Sequence, residues 1–155
     1  MSKSILNITL AVAVTTIAWL SLGAAVAAEN RLPDLLKGTG LKYAMQDDAT
    51  AYLLLKGANG THIVAVRLVK ERVVALSEIV AAAPDAVPAG LWKRTAEINA
   101  GPWLSHVGYQ DAKFYSVSGC ALADMNSKLL KVMVMQVSAM ADELQPQFQD
   151  LLAVK

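Results

Sequence analysis

The side chains in this sequence that could carry acid–base or metal chemistry are few and stand apart from one another. The chain has 2 histidines, His62 and His106, and neither has a Cys, His, Asp or Glu at a spacing that would place two metal ligands on one face of a helix. A histidine acting as a general base would need its partner group within hydrogen-bond reach. The sequence therefore predicts no metal and no cofactor. A small enzyme with His62 or His106 as its base stays open as an alternative.

Motifs for nucleophilic catalysis and for phosphate binding are missing as well. There is no Gly-x-Ser-x-Gly turn to expose a serine, and the 9 glycines are scattered along the chain rather than clustered into a phosphate loop. Asp47 and Asp48 form an acid pair, but they stand in a predicted turn, where solvated carboxylates are the usual finding. These absences favour a binding or structural role over catalysis.

The last predicted helix carries the residues that best suit a binding role. Its apolar residues recur at helical spacing and form one broad core face, whereas Val132 and Met135 project to the opposite side, among Lys128, Lys131 and Asp142. An exposed methionine is flexible and suits an adaptable partner surface. Val132 and Met135 are therefore predicted to contact a partner, with incidental exposure as the alternative.

A second candidate surface is an aromatic group around the end of the middle helix. Trp92 lies within that helix, and Trp103 and Tyr109 follow the break at Gly101-Pro102. Trp103 and Tyr109 are kept as partner-binding candidates, although core packing explains the group more simply.

A β-hairpin is the clearest local structure that must position these residues. Two apolar runs, residues 51–56 and 62–68, flank Asn59-Gly60, a dipeptide that closes tight two-residue turns. This turn predicts a register in which Leu55 faces Val64. One face of the hairpin would then be wholly apolar and the other mixed, as in an antiparallel sheet that is covered on one side. The predicted apolar face consists of Leu53, Leu55, Val64, Val66 and Leu68.

The remaining elements complete an α+β pattern with an antiparallel sheet of about five strands. Residues 67–80 suit either a strand or a helix, because their apolar spacing is helical but their β-branched content is high. A short N-terminal helix, a middle helix and a long C-terminal helix are expected to pack on one face of the sheet. The other predicted elements are a helix at 31–37, a strand at 41–46, a helix at 88–99, two short strands within 114–123 that pivot at Ser118-Gly119, and a helix at 125–145 with Asp124 as N-cap and Pro146 as its end.

The amino-terminal segment has the features of an export signal. Lys3 is the only charge in residues 1–28, an apolar stretch covers residues 5–22, and small residues precede Glu29. This order is typical of a cleavable signal peptide, and the absence of a nearby Cys excludes lipoprotein processing. We therefore expect a leader at 1–28, a single α+β domain at 29–155, and a periplasmic location. A retained membrane anchor is the alternative.

Charge and cysteine content narrow the partner classes. Without its leader the chain has 13 basic and 13 acidic residues, so it lacks the positive charge typical of proteins that bind nucleic acid or an anionic membrane surface. Cys120 is the only cysteine, so no intramolecular disulfide can form. It is expected to be a small buried side chain, with a reactive thiol or an intermolecular bridge as alternatives.

The order of elements resembles the YbjN-like branch of the type III secretion chaperone-like fold. The matching features are residues 40–43 before the first strand, Glu97-Ile98-Asn99 with Trp103 following, Lys113-Phe114 at a strand start, and the leucine-rich last helix. The resemblance implies a non-enzymatic protein, often a homodimer, that binds peptides or acts in regulation. No functional residue is carried over, because this family has no fixed catalytic motif. The export signal departs from secretion chaperones, which work in the cytoplasm.

Together these observations predict an exported, non-enzymatic module that binds a protein or peptide and neither binds nucleic acid nor spans a membrane after cleavage. Besides a small envelope enzyme, the remaining alternative is a structural subunit of an envelope assembly, which should carry an extended apolar patch.

Overall fold

A six-stranded antiparallel sheet forms the centre of the protein in a computed structural model, which describes residues 31–102 and 104–154. The strand order is β1-β2-β3-β4-β6-β5. The leader and Trp103 lie outside the described residues. The elements are α1 (Arg31–Thr39), β1 (Ala44–Asp47), β2 (Thr50–Lys56), β3 (Thr61–Val69), β4 (Arg72–Ala81), α2 (Ala89–Asn99), β5 (His106–Gln110), β6 (Lys113–Ala121) and α3 (Ser127–Ala153), with short 3-10 turns at Pro84–Ala86 and Leu122–Asp124.

The predicted fold class is confirmed, with one strand more than expected. The ambiguous segment 67–80 is the end of β3 and most of β4, so its β-branched residues and not its helical spacing decide its structure. The segment 114–123 does not form two short strands, because β6 runs unbroken through Ser118 and Gly119, paired along its length with β4. Its second neighbour is β5, which the sequence pattern had not indicated.

The β2–β3 hairpin differs from its predicted register by two residues. Leu53 pairs with Val64, and Lys56 is the last paired residue of β2, opposite Thr61. The loop residues are Ala58 and Asn59 and not Asn59 and Gly60 as expected, because Gly57 lies opposite Gly60 and its N–H donates to the Gly60 carbonyl at 2.7 Å. Asn59 is not among the described residues with positive φ, so the loop is not the tight turn that Asn-Gly predicts. Since a shift of two keeps every side chain on its face, the predicted apolar face is correct.

The three helices cover one face of the sheet, and α3 spans two core clusters. The first cluster packs α1 and the first half of α3 on the centre of the sheet, around Val64 and Val66. The second packs α2 and the last turns of α3 around Phe114 and Phe148. Ser77 pairs with Ser116 between the clusters, where small side chains let the helix lie close to the sheet. None of the helices among the described residues is long and apolar enough to cross a membrane.

The ends of α3 were predicted wrongly. Its N-cap is Asn126 and not Asp124, because the Asn126 side-chain oxygen accepts a hydrogen bond from the Leu129 N–H at 2.9 Å. The helix also continues past Pro146 to Ala153. Proline cannot donate to the carbonyl of Asp142, four residues earlier, but the Asn59 side chain donates to that oxygen at 2.9 Å instead. Phe148, fully buried in the second cluster, anchors the turn that follows.

Candidate partner-binding surfaces

Among the described residues no helix lies over one face of the sheet, and the centre of that face is apolar. The buried residues of all three helices join core clusters that contain only the opposite face of β2 and β3, and the side chains of this uncovered face belong to neither cluster. Leu54 is the most exposed of them, at 58%. We call this surface the open sheet face and define it by Leu54, Ile63, Val74, Leu76 and Val117, which share a side of the sheet by their pairing.

Charged groups lie within and beside the open sheet face. Arg67 pairs with Val74, and its Nε is buried without a hydrogen-bond partner among the described residues. Lys113 Nζ donates to Glu78 Oε2 at 2.7 Å, and this hydrogen bond raises the pKa of Lys113. Burial raises the pKa of Tyr115, so this neighbour is a neutral phenol at ordinary pH. The face therefore combines an apolar centre with one cation whose donor is not satisfied.

Val132 and Met135 project into solvent, as their helical positions predict. They are 39% and 48% exposed on α3, among the exposed Lys128 and Lys131. Neither lysine has a carboxylate oxygen within 4.0 Å in the described part of the chain. That these two residues bind a partner stays a prediction, but both are accessible for it.

Tyr109 lies in a different environment from Val132 and Met135. Its ring centroid is 5.0 Å from that of Trp92 and 4.7 Å from that of Phe114, and its hydroxyl donates to the Ala82 carbonyl at 2.7 Å. These contacts give Tyr109 a packing role in the second cluster. Trp92 covers the same group from α2 while staying 42% exposed. The structure thus brings Tyr109 to Trp92, but not to the exposed residues of α3.

His62 has a partner that local spacing could not indicate. Its Nε2 lies 2.9 Å from Asp142 Oδ1 on α3, 80 residues further along the chain, and both residues are buried. The same carboxylate accepts hydrogen bonds from the N–H groups of Ala58 at 2.8 Å and Asn59 at 2.9 Å. Sequence reasoning had placed Asp142 on the solvent side of α3, so this group was missed.

The Asp142 carboxyl is held as a carboxylate. Burial raises its pKa, but the hydrogen bonds from His62, Asn59 and Ala58 together lower the pKa by more than burial raises it. The net pKa lies below the ordinary value of 3.8. The arrangement ties the β2–β3 loop to α3, which is a structural task. His106, by contrast, is exposed on the edge strand β5, away from this pair. In the described ranges no three His, Cys, Asp or Glu side chains form a group that could hold a metal ion.

An antiparallel sheet with a short first helix, a middle helix and a long last helix on one face is the fold of the type III secretion chaperones and YbjN. The chain is similar to a chain of the ExsC–ExsE complex, with a TM-score of 0.59 and 18% identity over 77% of this chain and 95% of that one. It is similar to a chain of the heterodimeric ExoU–SpcU complex from the type III secretion system of Pseudomonas aeruginosa, with a TM-score of 0.57 and 15% identity over 77% and 98% of the two chains.

YbjN from E. coli also shares the fold, with a TM-score of 0.55 and 15% identity over 75% of this chain and 90% of that one. No protein-family model and no curated protein matches the sequence. At these identities the likeness defines the fold, and the predicted resemblance is confirmed at that level.

Proposed function

We propose that this protein is an exported, non-enzymatic module that binds a protein or peptide partner, in a chaperone-like or regulatory role. The observation that carries the proposal is the open sheet face. In an antiparallel sheet with one solvated face, outward positions are usually polar. Here the outward positions of the central strands include Ile63, Val74, Leu76 and Val117, with Leu54 exposed beside them and the polar Arg67, Glu78 and Tyr115 around them.

A contiguous apolar surface of this kind is typical of interaction sites. Burying it against a partner would contribute roughly 25 cal/mol for each Å² of apolar area removed from water. The half-buried Arg67 on the same face adds polar specificity, because the exposed part of its guanidinium group could donate hydrogen bonds to oxygens of a partner. The face therefore offers both affinity and orientation to a partner.

The structural neighbours support the same function. Two of the similar chains were solved in complexes with other proteins, ExsC–ExsE and ExoU–SpcU. By analogy, we propose a protein partner for this chain too. Its export, inferred from residues 1–28, would mean that its partners are proteins of the cell envelope and not of the cytoplasm.

Affinity capture with matched variants tests this proposal. The mature chain, Leu54→Glu and Leu104→Glu serve as baits for an envelope extract. The two leucines are 58% and 65% exposed, but only Leu54 is one of the five residues that define the open sheet face. We expect a defined protein to be retained by the wild type and by Leu104→Glu and lost with Leu54→Glu. Equal capture by all three baits, or none above background with the wild type, would refute the proposal.

Analytical ultracentrifugation of the same purified proteins tests whether a second copy of the chain covers the open sheet face. A homodimer formed through the open sheet face should dissociate in Leu54→Glu and persist in Leu104→Glu. That result would assign the face to self-association and leave the external partner to another surface.

A further inference from the structure

The first half of α3 exposes a surface with cations and apolar side chains but no acid. Between residues 128 and 139 every charged side chain is a lysine, and the first carboxylate of the helix is the buried Asp142. Lys128, Lys131, Val132 and Met135 follow the i, i+3, i+4, i+7 spacing that places residues on one side of a helix. We call these four residues the basic stripe. The exposed positions in this region are Lys128, Lys131, Val132, Met135, Gln136 and Ala139.

Helix stability does not explain this arrangement. The N-terminal turns of a helix carry partial positive charge and favour acids, yet α3 has no acid in its first turn and has Lys128 there. Lys131 stands three residues later, where like charges repel. Neither lysine finds a carboxylate in the described part of the chain. Both placements oppose helix formation, and within the described residues both cations are free to pair with another molecule.

The end of α1 adds a positive charge near the start of α3. A Cβ on Gly38 would overlap the Ser127 side chain, so the end of α1 lies directly against the start of α3. Lys37 and Lys128 are the chain neighbours of these two contacting residues, and both are exposed. Exposed lysines of α1 and α3 therefore flank the contact between the two helices, and Val132 follows one turn after Lys128.

We infer that the basic stripe binds an acidic amphipathic segment of a protein partner. Carboxylates of the segment would pair with Lys128 and Lys131, while its apolar side chains would cover Val132 and Met135. Residues 128–139 span roughly 16 Å along the helix, which matches about three turns of a partner helix. This inference rests on the proposed protein-binding function, but it names a different surface and the chemistry of what binds there.

An anionic membrane fits the surface less well. The opposite side of α3 is packed in the core, so the helix cannot sink into a bilayer, and the basic stripe has only two large apolar side chains, Val132 and Met135. A peptide helix can reach those side chains and still place carboxylates on both sides.

The test uses defined probes with the mature protein. The probes are a labelled peptide of about 14 residues with leucines at i, i+4 and i+7 and glutamates between them, the same peptide with lysines for glutamates, and phosphatidylglycerol vesicles. Fluorescence anisotropy at about 50 mM salt should show binding of the acidic peptide only. Lys131→Glu and Met135→Glu should each weaken it by about 10-fold. Lys93→Glu, an equal charge change at an exposed position of α2, should alter it by less than about 2-fold.

Three results would overturn the inference: equal or tighter binding of the basic peptide, binding of vesicles but not of the acidic peptide, or equal weakening by Lys93→Glu and Lys131→Glu. Its failure is distinguishable from failure of the proposed function. If Leu54→Glu abolishes peptide binding and Lys131→Glu does not, the open sheet face is the site and only the basic stripe is refuted.

Discussion

Asp142 is the residue on which the contact between the β2–β3 loop and α3 depends. Its carboxylate accepts three hydrogen bonds from the loop and from His62 at its base. The approach is so close that a Cβ on Gly57 would overlap the Asp142 carboxyl group, which explains a glycine at the base of the loop. Residues 80 or more positions apart thus set the geometry of the hairpin end.

The depressed pKa of Asp142 makes a prediction for acid stability. A carboxyl with a lower pKa in the folded than in the unfolded chain stabilises the fold above the unfolded pKa, and this stabilisation is lost as the pH falls through the folded pKa. The unfolded value is close to 3.8, and the folded value lies below it. Asp142→Asn should therefore melt below the wild type at pH 5 to 7, by several degrees, and the difference should shrink as the pH falls below about 4.

Thermal melts between about pH 2.5 and 7 measure this difference, with Glu143→Gln as the control, because Glu143 is the adjacent carboxyl and is exposed. The control should follow the wild type throughout. A difference between Asp142→Asn and the wild type that stays constant down to the lowest pH would contradict the assignment.

The hydrogen bonding of the Asp142 carbonyl, which involves both Pro146 and Asn59, leads to a second prediction. Pro146 removes the helical N–H that would bond this oxygen, and the Asn59 amide replaces it at 2.9 Å. Asn59→Ala should cost about 1 kcal/mol in the wild type, since it leaves the carbonyl without this donor. In a Pro146→Ala background the backbone N–H restored at position 146 can serve the carbonyl, so the same substitution should cost clearly less.

Denaturant unfolding of the four proteins in this double-mutant cycle gives the coupling free energy. A cost of Asn59→Ala that is the same in both backgrounds would show that the asparagine acts only within its loop.

Among the elements, the β5–β6 hairpin shows where turn chemistry and backbone geometry disagree. Asp111 and Ala112 connect the strands with φ of 49° and 58°, a left-handed conformation that favours glycine or asparagine. Ala112→Gly should therefore raise the free energy of unfolding by about 0.5–1 kcal/mol. The same change at the exposed helical Ala139 should lower it by about 1 kcal/mol. Chemical denaturation of both variants measures the two values, and a destabilising Ala112→Gly would contradict the turn geometry.

The elements that the sequence could predict are those with a clear apolar pattern and clear end signals. Helices α1 and α2 follow from apolar periodicity and from the Gly and Pro residues at their ends. Strand β5 was missed because Gly108 interrupts its short apolar pattern and Asp111-Ala112 is an unusual turn sequence. Asn59-Gly60 led to a wrong register, because Asn59 is the second residue of the loop and not the first, and its side chain donates to the Asp142 carbonyl.

At the scale of the whole molecule, one-sided coverage of the sheet was predictable, but the character of the other side was not. The side chains of a strand point alternately to its two faces, and in β2 and β3 this alternation predicted that Leu53 and Val64 face a core. That Leu54, Leu76 and Val117 form one uncovered surface depends on pairing between β2, β3, β4 and β6, and local patterns do not contain that information. The same limit hid the His62–Asp142 pair. Val132 and Met135 were found because helical periodicity alone places them.

The last prediction concerns the compartment in which these surfaces act. If residues 1–28 are a signal peptide, the mature chain should begin at Ala28 or Glu29, because cleavage there places small residues at both positions that signal peptidase recognises. Amino-terminal sequencing of the protein from the envelope fraction of its host checks this. Replacing both Ala27 and Ala28 by Trp should block the two cleavage positions and leave a longer, membrane-associated precursor. Recovery of the wild-type protein with Met1 or Ser2 at its amino terminus would contradict export by cleavage, and the partners of the open sheet face would then have to be sought elsewhere in the cell.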